Sequence, residues 1–194
     1  ENGYITYMRT DSVHLSKEAI SASRNAIKDL YGNEFLPSSA IQYSNKVKNA
    51  QEAHEAIRPA GSKFKHPDDL KNKLDTNQLK LYTLIWKRTL ASQMKNAKIQ
   101  RTNLWLSNGE YIFEAKGKVV LFPGFLKVYV EATDNQKERD DNEVVLPDVK
   151  ENDKLNCVEL ESKQHFTKPL NRFTEASLVK ELEKLGIGRP STYA

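Results

Sequence analysis

Near residue 100 the spacing of apolar residues changes from about 3.6 to about 2, and no single class of secondary structure accommodates both periods. Before the change, two stretches repeat as helices. Ser16 caps a predicted helix over 17–31, with Glu18 in its first turn and Gly32 at its stop. Ile20, Ile27, Leu30 and Tyr31, with Ala19 and Ala26 between them, form its apolar face. Asp75 and Gln78 make a capping box for a second helix, along which Leu79, Tyr82, Trp86, Leu90 and Met94 recur, with Leu81 and Ile85 widening the stripe. Residues 33–48 read as an irregular surface stretch and 60–70 as a linker rich in Lys, Pro and Asp.

After the change, Leu104-Trp105-Leu106 and Tyr111-Ile112-Phe113 flank Asn108-Gly109, a pair that two-residue hairpin loops favour because both central residues take positive φ. Runs over 118–122, 125–130, 143–146 and 155–161 are strand-like, and the polar stretch 133–142 reads as an exposed loop. A last helix is expected over 175–185, capped by Thr174 and closed by Gly186, with Leu178, Val179, Leu182 and Leu185 facing inward. The expected fold class is α+β. A helical domain over 1–98 opens with a short strand, a mainly antiparallel β domain spans 99–170, and a C-terminal helix over 171–194 begins a further helical domain.

Composition narrows the class. Hydrophobic residues at 38% and charged ones at 29% are ordinary for a soluble globular chain. No apolar run approaches the roughly 20 residues of a membrane span, so no membrane partner is expected. The chain starts at Glu1 and stops at Ala194, just after a helix start, and reads as a piece of a longer protein. Its one cysteine, Cys157, has no partner at metal-ligand spacing and reads as a thiol in a reducing, cytoplasmic compartment. Residues 1–100 hold 16 Lys+Arg against 10 Asp+Glu, a balance of +6, whereas 101–194 hold 14 against 16, a balance of −2. The positive half suits a polyanionic partner.

That half also contains the best chemical candidate. In Gly3-Tyr4-Ile5-Thr6-Tyr7-Met8-Arg9 the residues favour a short strand that a Thr-Asp-Ser cluster breaks, and side chains two apart on a strand share a face. Tyr7 and Arg9 then project together. A guanidinium grips two phosphate oxygens as a fork and favours an ionised phenol, and an activated tyrosine is a covalent nucleophile. Spacing alone favours a buried strand aromatic beside a rim charge. Residues 50–58 read as a short helix ended by Pro59 and Gly61, with His54 and Arg58 at i, i+4. The zinc-protease pattern His-Glu-x-x-His fails because its fifth residue is Arg58. Gly188-Arg189-Pro190-Ser191-Thr192 has the composition of a helix start, a place that binds phosphate well, though a plain connection between helices also fits.

Ile5-Thr6-Tyr7-Met8-Arg9-Thr10-Asp11-Ser12 resembles the active-site motif of type IA DNA topoisomerases, with Met8 where the bacterial topoisomerase I branch usually carries it. Glu52-Ala53-His54-Glu55-Ala56-Ile57-Arg58-Pro59 and the segment from Glu175 through Gly186-Ile187-Gly188-Arg189-Pro190-Ser191-Thr192 match the same family in the same order. The resemblance implies that Tyr7 attacks a DNA phosphodiester to leave a 5′-phosphotyrosine and that Arg9 assists. It implies that His54, Arg58, Arg189, Ser191 and Thr192 contact the DNA strand or hold the fold around it, and that 99–170 forms an arch around the DNA passage. Partners would be single-stranded and underwound duplex DNA, the protein a monomer at the bacterial nucleoid, and ATP unnecessary.

The family places Mg²⁺ on an Asp-x-Asp cluster and a Glu in a separate domain, and no Asp-x-Asp occurs here. These residues alone are therefore expected to bind single-stranded DNA weakly and not to relax supercoils. Two other readings stay open. A type IB enzyme or recombinase draws several Arg and a His from upstream of a late Tyr, whereas here the Tyr comes first; the other reading is a single-stranded DNA-binding module without chemistry.

Overall fold

Local capping fixes both long helices in the computed structural model, which describes residues 3–10, 12–43, 54–130, 144–188 and 192. Helix α1 runs Lys17–Tyr31: the Ser16 hydroxyl accepts from the Ala19 N–H, and Gly32, at φ 99°, donates its own N–H to the Ile27 and Lys28 carbonyls. Helix α2 runs Thr76–Ser92 from the expected box, in which the Asp75 carboxylate takes the Asn77 and Gln78 N–H groups at 2.9 Å and the Gln78 side chain takes the Asp75 N–H.

The core is built between them. Ala19, Ala22 and Ile27 of α1, Phe64 and Leu70 of the linker, Tyr82, Trp86 and Leu90 of α2, then Met94 and Val128, are all buried. The inner side of α1 is smaller than expected: Ala19, Ala22 and Ser23 are inside, while Leu30 is half exposed. Leu81 also lies outside the α2 stripe, because burial follows the Tyr82, Trp86 and Leu90 side. The linker is not featureless. Pro67–Leu70 forms a 3-10 turn whose Leu70 is fully buried, and the Tyr82 hydroxyl donates to the Lys65 carbonyl at 2.7 Å. Burial, with the charge of Asp69 adding to it, pushes that phenol up to about 12. Buried Gln93, just past α2, exchanges two hydrogen bonds with the backbone of Ile41 and pins the irregular stretch 36–43.

Strands β1 (Lys98–Asn108) and β2 (Tyr111–Phe122) form one antiparallel ribbon. Asn108 pairs with Tyr111, so the loop is Gly109-Glu110, one residue later than expected. Gly109 has φ 61° and Glu110 is not at positive φ, the pattern of a turn needing glycine only at its first central position. The base of the ribbon is anchored in the helical part. Phe35 and Phe122 stack with centroids 5.0 Å apart, Lys95 donates to the Phe35 carbonyl, and Phe125 donates back to Lys95. Gly124, at φ 50°, approaches the Lys95 and Asn96 backbone so closely that any side chain there would collide with it.

Beyond the ribbon the expected β content is not reached among the described residues. Residues 125–130 begin in a 3-10 turn (Gly124–Lys127) that packs against α2, Val144 makes one isolated bridge to Lys118, and 155–161 is exposed without strand pairing. Alternation alone does not make a strand when no neighbouring edge takes up its N–H and C=O groups. The stretch expected as a polar loop, 133–142, lies outside the described residues. Helix α3 (Glu175–Leu185) has the expected Thr174 cap and a left-handed Gly186, but its apolar face is uncovered: Leu178 and Leu185 are exposed. Helices with a two-stranded antiparallel sheet make the fold α+β. No described helix is long and apolar enough to cross a membrane.

Candidate active site

Two segments some fifty residues apart cross to make the site. Ile5 bridges Pro59 in antiparallel fashion, flanked by backbone bonds from Thr6 N–H to the Arg58 carbonyl and from Ala60 N–H to the Tyr4 carbonyl, both 2.9 Å. Pro59 sits at the non-hydrogen-bonded position of this pairing, where its missing N–H costs nothing. The Thr6 hydroxyl closes the crossing from the side. It donates to the Ala56 carbonyl at 2.8 Å and accepts the Arg58 N–H at 3.0 Å.

This pairing overturns the short helix expected over 50–58. Residues 54–58 are not helical, since the Arg58 N–H and carbonyl are bonded across to Thr6 rather than along a helix; 50–53 lie outside the described residues. His54 and Arg58 therefore do not share a helix face.

Arg58 is 6% exposed. Its Nε and Nη2 donate to the two oxygens of Glu55 at 3.1 and 2.9 Å, and Nη1 donates to the Pro59 carbonyl at 2.8 Å. The fork is turned inward, on Glu55, rather than outward to a phosphate. Glu55 in turn accepts the Ser16 N–H at 2.6 Å and Ala56 donates to the His14 carbonyl at 2.8 Å, so the crossing is tied to the start of α1. Burial would raise the Glu55 carboxyl, but hydrogen bonds from Arg58 and Ser16, with the Arg58 charge, outweigh it and hold the group below its ordinary 4.5. A depressed carboxylate contributes its full stability above its ordinary value and loses it as pH falls through the folded one. Glu55→Gln is thus expected to lower Tm at neutral pH and to flatten its decline between about pH 5 and pH 3, which thermal melts across that range will show.

The crossing presents Tyr7 to solvent at 57% exposure. Its ring centroid lies 5.5 Å from that of His54, with planes tilted by 34°, and the Arg9 guanidinium carbon lies 5.7 Å from the same ring. An exposed phenol, an imidazole and an exposed guanidinium thus stand together. Arg9 makes no ion pair with any described residue. A cleft of about 540 Å³ opens beside them, lined by Tyr4, Tyr7 and Met8 on one wall and by Leu81, Tyr82 and Ile85 of α2 on the other. Of the distal candidates, Thr192 is exposed, whereas Arg189 and Ser191 lie outside the described residues. No three His, Cys, Asp or Glu side chains converge among the described residues.

Sequence reasoning left Thr6 and Glu55 without roles. The i, i+3 rule for helix neighbours gives no sign of the Glu55–Arg58 pair in a segment that is not helical, and nothing local marks Thr6, whose partners lie fifty residues away.

A family model described as DNA topoisomerase matches residues 1–194. The DNA topoisomerase 1 of Mycolicibacterium smegmatis is 52% identical over 201 residues, and that of Synechocystis 51% identical over 195; each comparison covers all of this chain and 22% of the relative. The chain thus spans about a fifth of the length of these relatives. The structure of full-length topoisomerase I from Thermotoga maritima superposes with a TM-score of 0.71 at 36% identity, over 98% of this chain and 29% of that one. By sequence along its whole length and by fold, the chain belongs to the DNA topoisomerase family.

Proposed function

We propose that, in the intact protein, Tyr7 is the nucleophile of a type IA DNA strand-passage reaction. The Tyr7 oxygen attacks a backbone phosphorus as the bond to the 3′ oxygen breaks. The phenol gives up a proton and the leaving oxygen takes one up, so a 5′-phosphotyrosine and a free 3′-hydroxyl result. After another strand passes, the hydroxyl attacks back and restores both groups. One phosphodiester is exchanged for another, so no ATP is consumed. The observation that carries this reading is the solvent-facing Tyr7 ring with the His54 ring 5.5 Å and the Arg9 guanidinium 5.7 Å from it.

Arg9 supplies a fixed positive charge where negative charge builds on the phosphate. His54 donates to a phosphate oxygen beside it. Arg58 acts at one remove by bracing the crossing, and Arg189, Ser191 and Thr192 belong to the same single-strand path. The unit 1–98 carries the chemistry, 99–170 is arch and hinge, and 171–194 opens the next DNA-binding unit. Mg²⁺ is held by parts of the intact protein beyond this chain, the protein acts as a monomer, and a DNA substrate places it at the bacterial nucleoid.

End-labelling decides the chemistry. Full-length protein denatured during cleavage of a single-stranded oligonucleotide should retain the part of the strand downstream of the break, joined through its 5′ phosphate. Attachment through a 3′ phosphate would indicate type IB chemistry, and no attachment would leave only a binding module; either result overturns the proposal.

A further inference from the structure

We infer that Thr6 is a positioning residue for the Tyr7 reaction, acting through its hydroxyl to hold Tyr7 beside His54. The inference rests on the function proposed above, but its geometric half stands on contacts alone. Tyr7 follows Thr6 directly, and His54 lies two residues before Ala56. The Thr6 hydroxyl bonds to the second segment at two points, Ala56 and Arg58, as donor to one and acceptor from the other. The backbone bonds on either side of Ile5 pair the two segments there, and the side bond from Thr6 to the residue after Glu55 adds a tie nearer to His54, where it bears on the angle at which the two rings meet.

The far end of the crossing is held as well. Arg58, whose N–H reaches Thr6, is clamped by Glu55, and Glu55 caps the start of α1 through Ser16. Thr6 is therefore one of the points at which the helical body is joined to the segment carrying Tyr7. Its β-branched shape suits an extended backbone, which valine would preserve while removing the hydroxyl. The Arg58 N–H and the Ala56 carbonyl would then lose a partner each, and the strand would shift to recover them.

The test compares Thr6→Val with Thr6→Ser in the full-length protein. With saturating single-stranded oligonucleotide, Thr6→Val should slow single-turnover formation of the covalent adduct by about 10- to 100-fold, the cost of a misplacement near 1 Å. Affinity for the oligonucleotide should stay within about threefold, because phosphate contacts elsewhere on the strand are untouched. Thr6→Ser, which keeps the hydroxyl, should restore most of the rate. Wild-type cleavage by Thr6→Val, or equal damage in Thr6→Ser, would overturn the assignment.

A second readout needs no chemistry. The chain has four histidines, and the imidazole C–H of His54 feels the ring current of Tyr7. In Thr6→Val the His54 proton resonance should move toward its position in Tyr7→Ala, while those of His66, packed on Trp86, and of exposed His165 stay put and report an intact fold. An unmoved His54 resonance would overturn the positional role even if no covalent adduct forms in any variant. Absence of adduct in the wild type, with the resonance shifted as expected, would instead count against the proposed reaction and leave the clamp standing.

Discussion

Covalent capture of a labelled single strand by the full-length protein is expected to disappear when Tyr7 is replaced by phenylalanine. The substitution removes one oxygen from a ring that is already exposed, so the fold and the contact with His54 lose almost nothing, and the only group deleted is the nucleophile. Arg9→Lys is the sharper companion. Lysine keeps the charge but not the planar fork, and at a site where two phosphate oxygens must be held it is not a conservative change. Removing one well-placed donor to a developing charge typically costs about 100- to 1,000-fold in rate, and a loss of that order is expected in single-turnover cleavage. Residual capture by Tyr7→Phe would move the nucleophile elsewhere. Normal cleavage by Arg9→Lys would reduce Arg9 to a surface charge.

The second large effect is on stability. Arg58→Ala should destabilise the 194-residue chain by about 1.5–3 kcal/mol, the range for hydrogen bonds to charged groups, because Arg58 is buried while the Glu55 side chain is one-quarter exposed and can partly rehydrate. The loss has identifiable parts. Glu55 keeps its partly desolvated carboxylate without the two guanidinium bonds, and the Pro59 carbonyl loses its 2.8 Å donor. Urea unfolding with an unchanged slope measures it. The double variant Glu55→Gln/Arg58→Met should regain part of the loss, because it leaves no unpaired charge inside. A change below about 1 kcal/mol for Arg58→Ala would mean that the pair is dispensable to the crossing.

What could be read in the sequence was what a few neighbouring residues decide. Ser16 with Gly32, Asp75 with Gln78, and Thr174 with Gly186 each set a helix end within one turn, and all stand where expected. The hairpin was legible as a hairpin but one residue out in its loop, because register depends on which residues of the partner strand come opposite, as Asn108 does with Tyr111. Residues 125–130 alternate like a strand yet turn onto α2, since Gly124 allows a left-handed bend and Phe125 and Val128 find the core. For the site, adjacency put Tyr7 and Arg9 side by side, but only the motif resemblance made them candidates. His54 came from family resemblance alone, since its own segment suggested a helix. The crossing of the two segments, bridged at Ile5 and Pro59 and closed by the Thr6 hydroxyl, brings His54 within ring contact of Tyr7, and pairings of that length leave no periodic trace.

The ribbon of β1 and β2 has mechanical consequences of its own. Strands of eleven and twelve residues reach about 35 Å from the core, with Trp105 and Ile112 uncovered on one side and Phe113 partly so on the other. Among the described residues they are fastened near the end where Phe122 meets Phe35 and Gly124 lies flat on the Lys95 backbone, and β2 is bridged a little further out by Val144 at Lys118. Leverage follows from that length: a sideways travel of about 3 Å at Gly109 corresponds to a rotation of about 5° at the root. Aromatic rings in contact absorb so small an angle without separating, so the tip can sweep ångströms while the helical body keeps its packing.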